Sequence, residues 1–214
     1  FVSCQGTHNY FRRSILEKLG YWDPKALTED LDIAVRLMKK GYKVKYVPIK
    51  AGIEAPAKLK TLIKQRMRWL RGHIQTAKKH LDLLKTPNKK SLDTLLTLLL
   101  PIMLTLSLLG YTTCISATIN PAIQAEQTIG TTLLLLSLTT PLAALAISPK
   151  NAIYTPLLYI NWTLTSTISI LACIHALLRR PPKWTKTEKT AKKKGVSQIS
   201  KPLELFPLLM KKVR

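Results

Sequence analysis

The chain has 214 residues, and 34 lysines and arginines against 11 aspartates and glutamates give it a net charge of +23. Such a charge is typical of proteins that bind nucleic acid, but its distribution argues against that class. Residues 91–178 carry only three formal charges, Asp93, Glu126 and Lys150, so the cations lie in the two flanks. Basic flanks around apolar runs are typical of a membrane protein with cytoplasmic segments. The predicted partner is therefore the lipid bilayer and not nucleic acid.

Cysteine and histidine usage predicts neither a disulfide framework nor a metal site. The three cysteines, Cys4, Cys114 and Cys173, are too scattered for either, and the four histidines share no ligand spacing. The chain starts at Phe1, within what reads as a strand, and has no signal-peptide layout at its beginning. We therefore expect a fragment whose N-terminal part is missing.

Residues 1–56 are predicted to be the C-terminal part of an α/β domain. The predicted elements are a strand over Phe1–Cys4, a helix over Phe11–Leu19, a helix over Glu29–Lys40 and a strand over Tyr42–Val47. Thr28 is the expected N-cap of the second helix, and Gly20 and Gly41 are the expected helix stops. The buried face of that helix is predicted to be Leu31, Ala34, Val35 and Met38.

Residues 57–90 are predicted to form an amphipathic helix at the bilayer surface. Apolar residues recur at three- and four-residue steps, and lysines and arginines fill the remainder, which suits an anionic headgroup boundary. Gln65, Arg68 and Trp69 lie within one turn of each other, so we expect an amide, a guanidinium and an indole to meet. Such a trio is suited to binding an anion and stacking on a sugar. The alternative is a plain anchor with a tryptophan at the lipid interface.

Residues 91–178 are predicted to be an all-α transmembrane region. Its apolar runs cover 94–119, 128–147 and 153–178, and each is long enough to cross a hydrocarbon core of about 30 Å. The basic tail over 179–214 is predicted to be cytoplasmic. Three full crossings from a cytoplasmic first half would leave that tail outside, so we expect one of the last two runs not to cross fully.

Asp30 is the best candidate for a reacting group. It lies at the start of the predicted second helix, where the helix dipole favours the carboxylate form. A carboxylate held ionised there is able to accept a proton from a sugar hydroxyl. The alternative is that Glu29 and Asp30 only complement the dipole.

In chain order, several short motifs together resemble a known family. They are Gly6-Thr7, Phe11-Arg12-Arg13, Gly20-Tyr21-Trp22-Asp23, Leu27-Thr28-Glu29-Asp30, Gly41-Tyr42-Lys43-Val44 and Gln65-x-x-Arg68-Trp69. Over about residues 1–90 the chain resembles the second half of the catalytic domain of membrane-embedded, processive family-2 glycosyltransferases. These are the relatives of cellulose synthase, hyaluronan synthase and poly-N-acetylglucosamine synthase.

A second, weaker resemblance lies in the basic tail. Residues 184–189 are similar to the gating-loop motif of cellulose synthases, Phe-x-Val-Thr-x-Lys, with Trp184, Thr187 and Lys189 at matching positions. Here Trp replaces the Phe and Lys replaces the Val. A polybasic juxtamembrane tail is the alternative interpretation.

The resemblance implies an inverting enzyme that moves a sugar from a nucleotide-sugar donor to a glycan or glycolipid acceptor. It implies a multi-pass protein of the plasma membrane with its catalytic part in the cytoplasm. By analogy Asp30 is the general base, supported by Thr28 and Glu29 of its motif. The implied donor-diphosphate ligands are Gln65 and Arg68, and the residues implied beside the acceptor are Cys4, Gly6, Thr7 and Trp69.

The resemblance also implies Mg²⁺ or Mn²⁺, bound by an Asp-x-Asp motif in an upstream half that this chain does not contain. The fragment is therefore expected to be inactive alone. Two other functions stay open: a single-transfer enzyme that makes a glycolipid, and a non-catalytic polybasic membrane anchor. The Gln-x-x-Arg-Trp motif favours a processive enzyme over the first, and its pairing with Thr-Glu-Asp favours an enzyme over the second.

Overall fold

The structure, a computed structural model, describes residues 1–4, 6, 8–46, 54–119, 153–181, 184 and 187. Its helices are α1 (Arg13–Leu19), α2 (Glu29–Lys39), α3 (Leu59–Lys79), a 3₁₀ helix (Leu81–Lys85), α4 (Lys89–Leu98), α5 (Leu100–Ile119) and α6 (Thr155–Leu177). The predicted run over 128–147, most of the basic tail, Thr7 and Lys189 lie outside the described residues.

The two predicted strands are wrong where the structure describes them. Phe1–Cys4 and residues 42–46 form no strand, and no strand occurs elsewhere in the described ranges. A strand exists only when a neighbouring strand completes its hydrogen-bond ladder. The alternating pattern over residues 42–47 indicates a segment suited to a sheet, but the described residues contain no strand that it pairs with. The α/β prediction is therefore not met by this part of the chain, which is helical.

The glycine stops of α1 and α2 are confirmed. Gly20 and Gly41 both adopt the left-handed conformation, with φ of 71° and 74°. In each case the next residue returns a backbone hydrogen bond into the last turn of the helix, from Tyr21 to Leu16 and from Tyr42 to Leu37, both at 3.0 Å. This is the Schellman arrangement, which satisfies the free carbonyls of a helix end.

Helix α2 is buried on more sides than its sequence pattern indicates. Leu31 and Val35 pack against Leu83 and Leu98 in one cluster. On the other side Ile33 and Ala34 pack against Cys4. Asp32, which follows Leu31 in the sequence, is also fully buried. Met38, predicted to be buried, is only partly so. The helix is therefore a core element and not a surface helix with one apolar stripe.

Helix α3 lies between α2 on one side and α5 and α6 on the other. Its apolar residues Ile63, Met67 and Ile74 surround a cluster formed by its own Leu70 with Ile168 and Ala172 of α6. Much of the face that was predicted to meet lipid is therefore covered by other helices.

Cations of α3 also bind the end of α6. The Lys78 ammonium donates to the carbonyl of Ala176 at 3.4 Å, and Arg71 donates to the carbonyl of Arg180. Positive groups at a helix C-terminus are stabilised by its dipole and its free carbonyls.

The opposite face of α3 meets α2 at Gly72. A β-carbon at that position would lie 2.5 Å from Cγ2 and 3.0 Å from Cβ of Thr28. No side chain fits there, so the absence of one lets α3 approach the start of α2 directly. The Thr-Glu-Asp motif and the Gln-x-x-Arg-Trp helix are thereby brought into contact.

The predicted run over 94–119 is not one straight helix. It is broken at Leu99 into α4 and α5, which bend by 64°. Pro101 has no N–H to donate to the carbonyl of Thr97, four residues earlier. The ring of His73 on α3 lies 3.0 Å from that carbonyl through Nδ1 and supplies the missing hydrogen bond. Burial lowers the pKa of His73, which keeps the ring neutral.

Helix α6 confirms the helical prediction for the run over 153–178. Within the described residues it is the one helix that is long and apolar enough to cross a membrane unbroken, and the bent pair α4–α5 is a second candidate if it forms one span. The first run is thus broken near Pro101, and the expectation that one of the last two runs does not cross fully stays a prediction, because the run over 128–147 lies outside the described residues.

Candidate active site

A pocket of about 370 Å³ opens at the start of α2. Its aromatic wall is Phe11 and Trp22, whose rings meet edge to face with centroids 5.7 Å apart. Its polar side is Glu29 and Asp30, and Gly6, His8 and Asn9 complete the lining. Aromatic surface next to a few convergent polar groups is typical of small-ligand sites.

Asp30 lies at this pocket as a partly buried carboxyl group. One oxygen accepts a hydrogen bond from the backbone N–H of Leu31 at 2.9 Å. Burial raises the pKa of Asp30, and the neighbouring charge of Glu29 raises it further, while Arg68 opposes the rise. A carboxylate whose proton affinity is increased in this way is a better base than one in water.

Gly6 is placed directly over Asp30. A β-carbon on Gly6 would lie 3.0 Å from Oδ2 of Asp30, and its φ of +67° is one that other residues rarely adopt. The adjacent Cys4 is buried, and burial together with the charge of Asp30 raises the pKa of its thiol to about 11. Cys4 is therefore a neutral thiol at physiological pH. The expected neighbours Cys4, Gly6 and Asp30 are brought together, and Thr7 lies outside the described residues.

Arg68 links the pocket to α3. Its guanidinium donates to the carbonyl of Leu27 at 3.0 Å, just before the Thr-Glu-Asp motif. Its buried Nε has no hydrogen-bond partner among the described residues. A buried guanidinium N–H without a partner is an unsatisfied donor, and its chemistry suits an anion.

Gln75, two turns further along α3, binds the backbone of the same segment before α2. Its side-chain oxygen accepts from the N–H of Leu27 at 2.9 Å, and its nitrogen donates to the carbonyl of Lys25 at 3.0 Å. Arg68, Gly72 and Gln75 share one face of the helix. This face of α3 therefore fixes the position of residues 25–28.

Thr28 and Glu29 support the site in different ways. Thr28 occupies the predicted N-cap position of α2, but its side chain makes no cap hydrogen bond. It is buried against Gly72 instead, and its hydroxyl has no partner in the part of the chain that the structure describes. Glu29 lines the pocket beside Asp30.

Gln65, Arg68 and Trp69 have separate partners. Gln65 donates to the hydroxyl of Thr187 at 3.4 Å, and the Arg68 guanidinium lies 5.7 Å from the ring centroid of Trp184. Two residues of the candidate gating-loop motif therefore contact two residues of the Gln-x-x-Arg-Trp motif.

Trp69 differs from its two motif partners. Its ring is covered by the guanidinium of Arg66 at 4.9 Å and remains 37% exposed. It does not belong to the lining of the pocket at Asp30. Of the three side chains expected to meet, Gln65 and Arg68 contact Thr187 and Trp184, and Trp69 has no such contact among the described residues.

A buried ionic cluster behind the pocket was missed by sequence reasoning. Asp32 has no exposed side-chain surface and binds three cationic or neutral donors, Arg36 at 3.0 Å, Lys79 at 2.9 Å and His80 at 2.9 Å. Although burial alone raises the pKa of Asp32, the bonds from His80 and Lys79 outweigh it and lower the pKa to about 2. Its signal in the sequence was a charged residue on the buried face of an apolar helix.

No metal ligand set is present in the described residues. No three His, Cys, Asp or Glu side chains there are placed to hold a metal ion. The metal that the family resemblance implies therefore does not fit these residues, and no chemical step is assigned to it.

Comparison with known proteins agrees with the motifs. The model of glycosyl transferase family group 2 matches residues 2–178. A probable glycosyltransferase, YdaM, of Bacillus subtilis is 41% identical over 73 residues, which are 34% of this chain and 17% of YdaM. The poly-beta-1,6-N-acetyl-D-glucosamine synthase of Staphylococcus aureus (strain COL) is 35% identical over 71 residues, which are 33% of this chain and 17% of that protein. The matched region is thus a small part of these curated relatives. No solved structure matches the chain.

The lowered pKa of Asp32 predicts a loss of stability in acid. Its pKa falls from 3.8 to about 2 on folding, so the stabilisation is complete above the unfolded value and is lost as the pH falls through the folded one. We expect this carboxylate to contribute about 2 kcal/mol to the free energy of unfolding, lost between about pH 4 and pH 2. Chemical denaturation of the full-length protein across that range, beside Asp32→Asn, measures it. Equal losses in both proteins would contradict the assignment.

Proposed function

We propose, since this chain belongs to glycosyl transferase family group 2, that it is part of an enzyme that extends a polysaccharide. The donor is a nucleotide sugar, the acceptor is the growing glycan, and transfer takes place at the cytoplasmic face of the membrane. The observation that carries the proposal is geometric: Arg68 of α3 binds the Leu27 carbonyl at 3.0 Å, on the segment that carries Asp30 into a pocket with an aromatic wall. The staphylococcal relative is named as a polysaccharide synthase, which supports this product class.

In the proposed reaction Asp30 takes the proton of the acceptor hydroxyl. The oxygen attacks the anomeric carbon of the donor from the side opposite the diphosphate, the bond from that carbon to the diphosphate oxygen breaks, and the configuration inverts. Burial raises the pKa of Asp30 and so increases its affinity for the proton.

Arg68 and Gln65 stabilise the charge that builds on the leaving diphosphate. The charge of Arg68 acts on Asp30, and its buried Nε–H has no partner among the described residues, while Gln65 adds a neutral donor. Fixed donors aimed at developing charge are commonly the largest electrostatic contribution to catalysis. Trp184 and Thr187, which contact these two side chains, are proposed to belong to a loop that closes over the donor.

The membrane assignment rests on α6 and on the cations around it. Helix α6 is long and apolar enough to cross a bilayer, and its C-terminal end lies beside Lys78 and Arg71 of α3. Positive charge at one end of a span favours the cytoplasmic side for that end. This orientation places α3 and the pocket on the cytoplasmic face.

Asp30→Asn is expected to lower sugar transfer by about 10²- to 10⁴-fold, because the amide cannot accept the proton. Binding of the nucleotide sugar should persist, since Arg68 and Gln65 are unchanged. Membranes containing the full-length protein are incubated with a panel of radiolabelled nucleotide sugars, and binding is measured in parallel. Asp82→Asn is the matched control, because that exposed aspartate pairs with Lys39 away from the pocket. Wild-type turnover in Asp30→Asn would remove Asp30 from the role, and wild-type membranes inert with every donor would contradict the proposed function.

Trp69→Ala is expected to shorten the product while hydrolysis of the donor is less affected, because the indole is proposed to stack on the acceptor sugar. The partly exposed ring is available for this contact. The product is resolved by size: a ladder of polymer indicates a processive enzyme, and one labelled lipid indicates the glycolipid alternative. An unchanged ladder in Trp69→Ala would contradict the stacking role.

A further inference from the structure

Trp22 forms a wall of the pocket although it lies in a loop. The segment between α1 and α2 carries it, and its side chain is 42% exposed. The preceding Tyr21 has a φ of +60°, a conformation that a residue with a side chain rarely adopts. A loop with such a conformation persists only when its surroundings fix it. The position of Trp22 therefore depends on what holds its two neighbours.

Both chain neighbours of Trp22 are held by cations. The carbonyl of Tyr21 accepts a hydrogen bond from Nη2 of Arg36 at 2.6 Å. The carboxylate of Asp23 binds the Lys79 ammonium at 2.7 Å. Although burial opposes the charge of Lys79, its hydrogen bonds with Asp23 and Asp32 raise its pKa. Trp22 therefore lies between two residues whose positions are fixed by these contacts.

The two cations converge on one buried carboxylate. Nε of Arg36 binds one oxygen of Asp32 at 3.0 Å, and Lys79 binds the other at 2.9 Å. Arg36 reaches further, because its Nη1 donates to the carbonyl of Leu19 at the end of α1 at 2.6 Å. Asp32 has no exposed side-chain surface, and its carboxylate is paired with Arg36, Lys79 and His80.

We infer that Asp32 is a positioning residue, which sets Trp22 as the sugar-facing wall of the pocket through Arg36 and Lys79. The sugar part of this inference rests on the proposed function, and the positioning part stands on the contacts alone. Arg36 suits the task because its planar guanidinium binds a carboxylate and two carbonyls at once. A lysine at that position carries one ammonium and has no such fork.

The test follows Trp22 directly, by ¹⁹F NMR of the full-length protein labelled with 5-fluorotryptophan. Loss of one resonance in Trp22→Phe assigns the signal, and Trp162, which packs against Tyr111, is an internal reference. Asp32→Asn and Arg36→Lys are expected to shift or broaden the Trp22 resonance and to leave that of Trp162 unchanged. Arg36→Lys retains the positive charge and keeps the test informative if Asp32→Asn does not fold. Arg13→Lys is the matched control, because Arg13 is an exposed arginine of α1 that pairs with Glu17.

Titration with glucose and with N-acetylglucosamine then tests the wall itself. At least one sugar should move the Trp22 resonance of the wild type, and in Arg36→Lys the affinity should fall about fivefold or more, because a displaced contact weakens binding steeply. A variant that loses thermal stability but keeps the wild-type Trp22 resonance would overturn the positioning role. A Trp22 signal insensitive to both sugars would overturn the sugar-facing assignment. An inactive wild type whose Trp22 still moves in Arg36→Lys would contradict the proposed function alone.

Discussion

The site depends on how closely α3 approaches the start of α2. Four residues on one face of α3 make that contact: Arg68, Gly72, Gln75 and Lys79. Gly72 allows the approach because it has no side chain, and the other three bind backbone or carboxylate groups of residues 23–32. The paired groups are the N–H and carbonyl of Leu27, the carbonyl of Lys25 and the carboxylates of Asp23 and Asp32. Their pairing with one rigid helix holds the segment in a single conformation.

The approach places two carboxylates of α2 in opposite environments. Asp30 and Asp32 are two residues apart, so they project on different sides of the helix. Asp30 lies at the pocket, where burial raises its pKa, and Asp32 lies in the core, where bonds from His80 and Lys79 outweigh burial and lower its pKa. The first is suited to take up a proton, and the second holds its charge and organises cations. The division of roles follows from surroundings that the same helix, α3, supplies to both.

Local signals in the sequence predicted the helices well. The glycine stops, the three- and four-residue apolar period and the Thr-Glu-Asp and Gln-x-x-Arg-Trp motifs gave α1, α2, α3 and the family, because they are properties of short segments. The strands failed because pairing is a relation between distant segments. The break at Leu99 was missed because the run over 94–119 was predicted from its length and apolar composition, whereas His73 on another helix binds the carbonyl that Pro101 leaves open.

Sequence patterns did not predict the role of Asp32, because that role depends on partners that are distant in the sequence. A charged residue on a buried face is stable only with partners, and its partners Lys79 and His80 come from the far end of α3. The spacing of Arg68, Gly72, Gln75 and Lys79 along one helix face was present in the sequence. It indicates a contact surface, but the sequence alone does not say which segment meets it.

The contact between α2 and α3 is tested most directly by a disulfide between cysteines introduced at Thr28 and Gly72. A β-carbon at position 72 would lie 3.0 Å from Cβ of Thr28, so the two helices must separate by about 1 Å to reach the roughly 3.8 Å of a disulfide. The native cysteines are replaced by serine, and Thr28→Cys with Leu84→Cys is the control pair, since Leu84 is 63% exposed. The account predicts that the first pair crosslinks rapidly in membranes, faster than the control pair. Crosslinking no faster than in the control pair would contradict it.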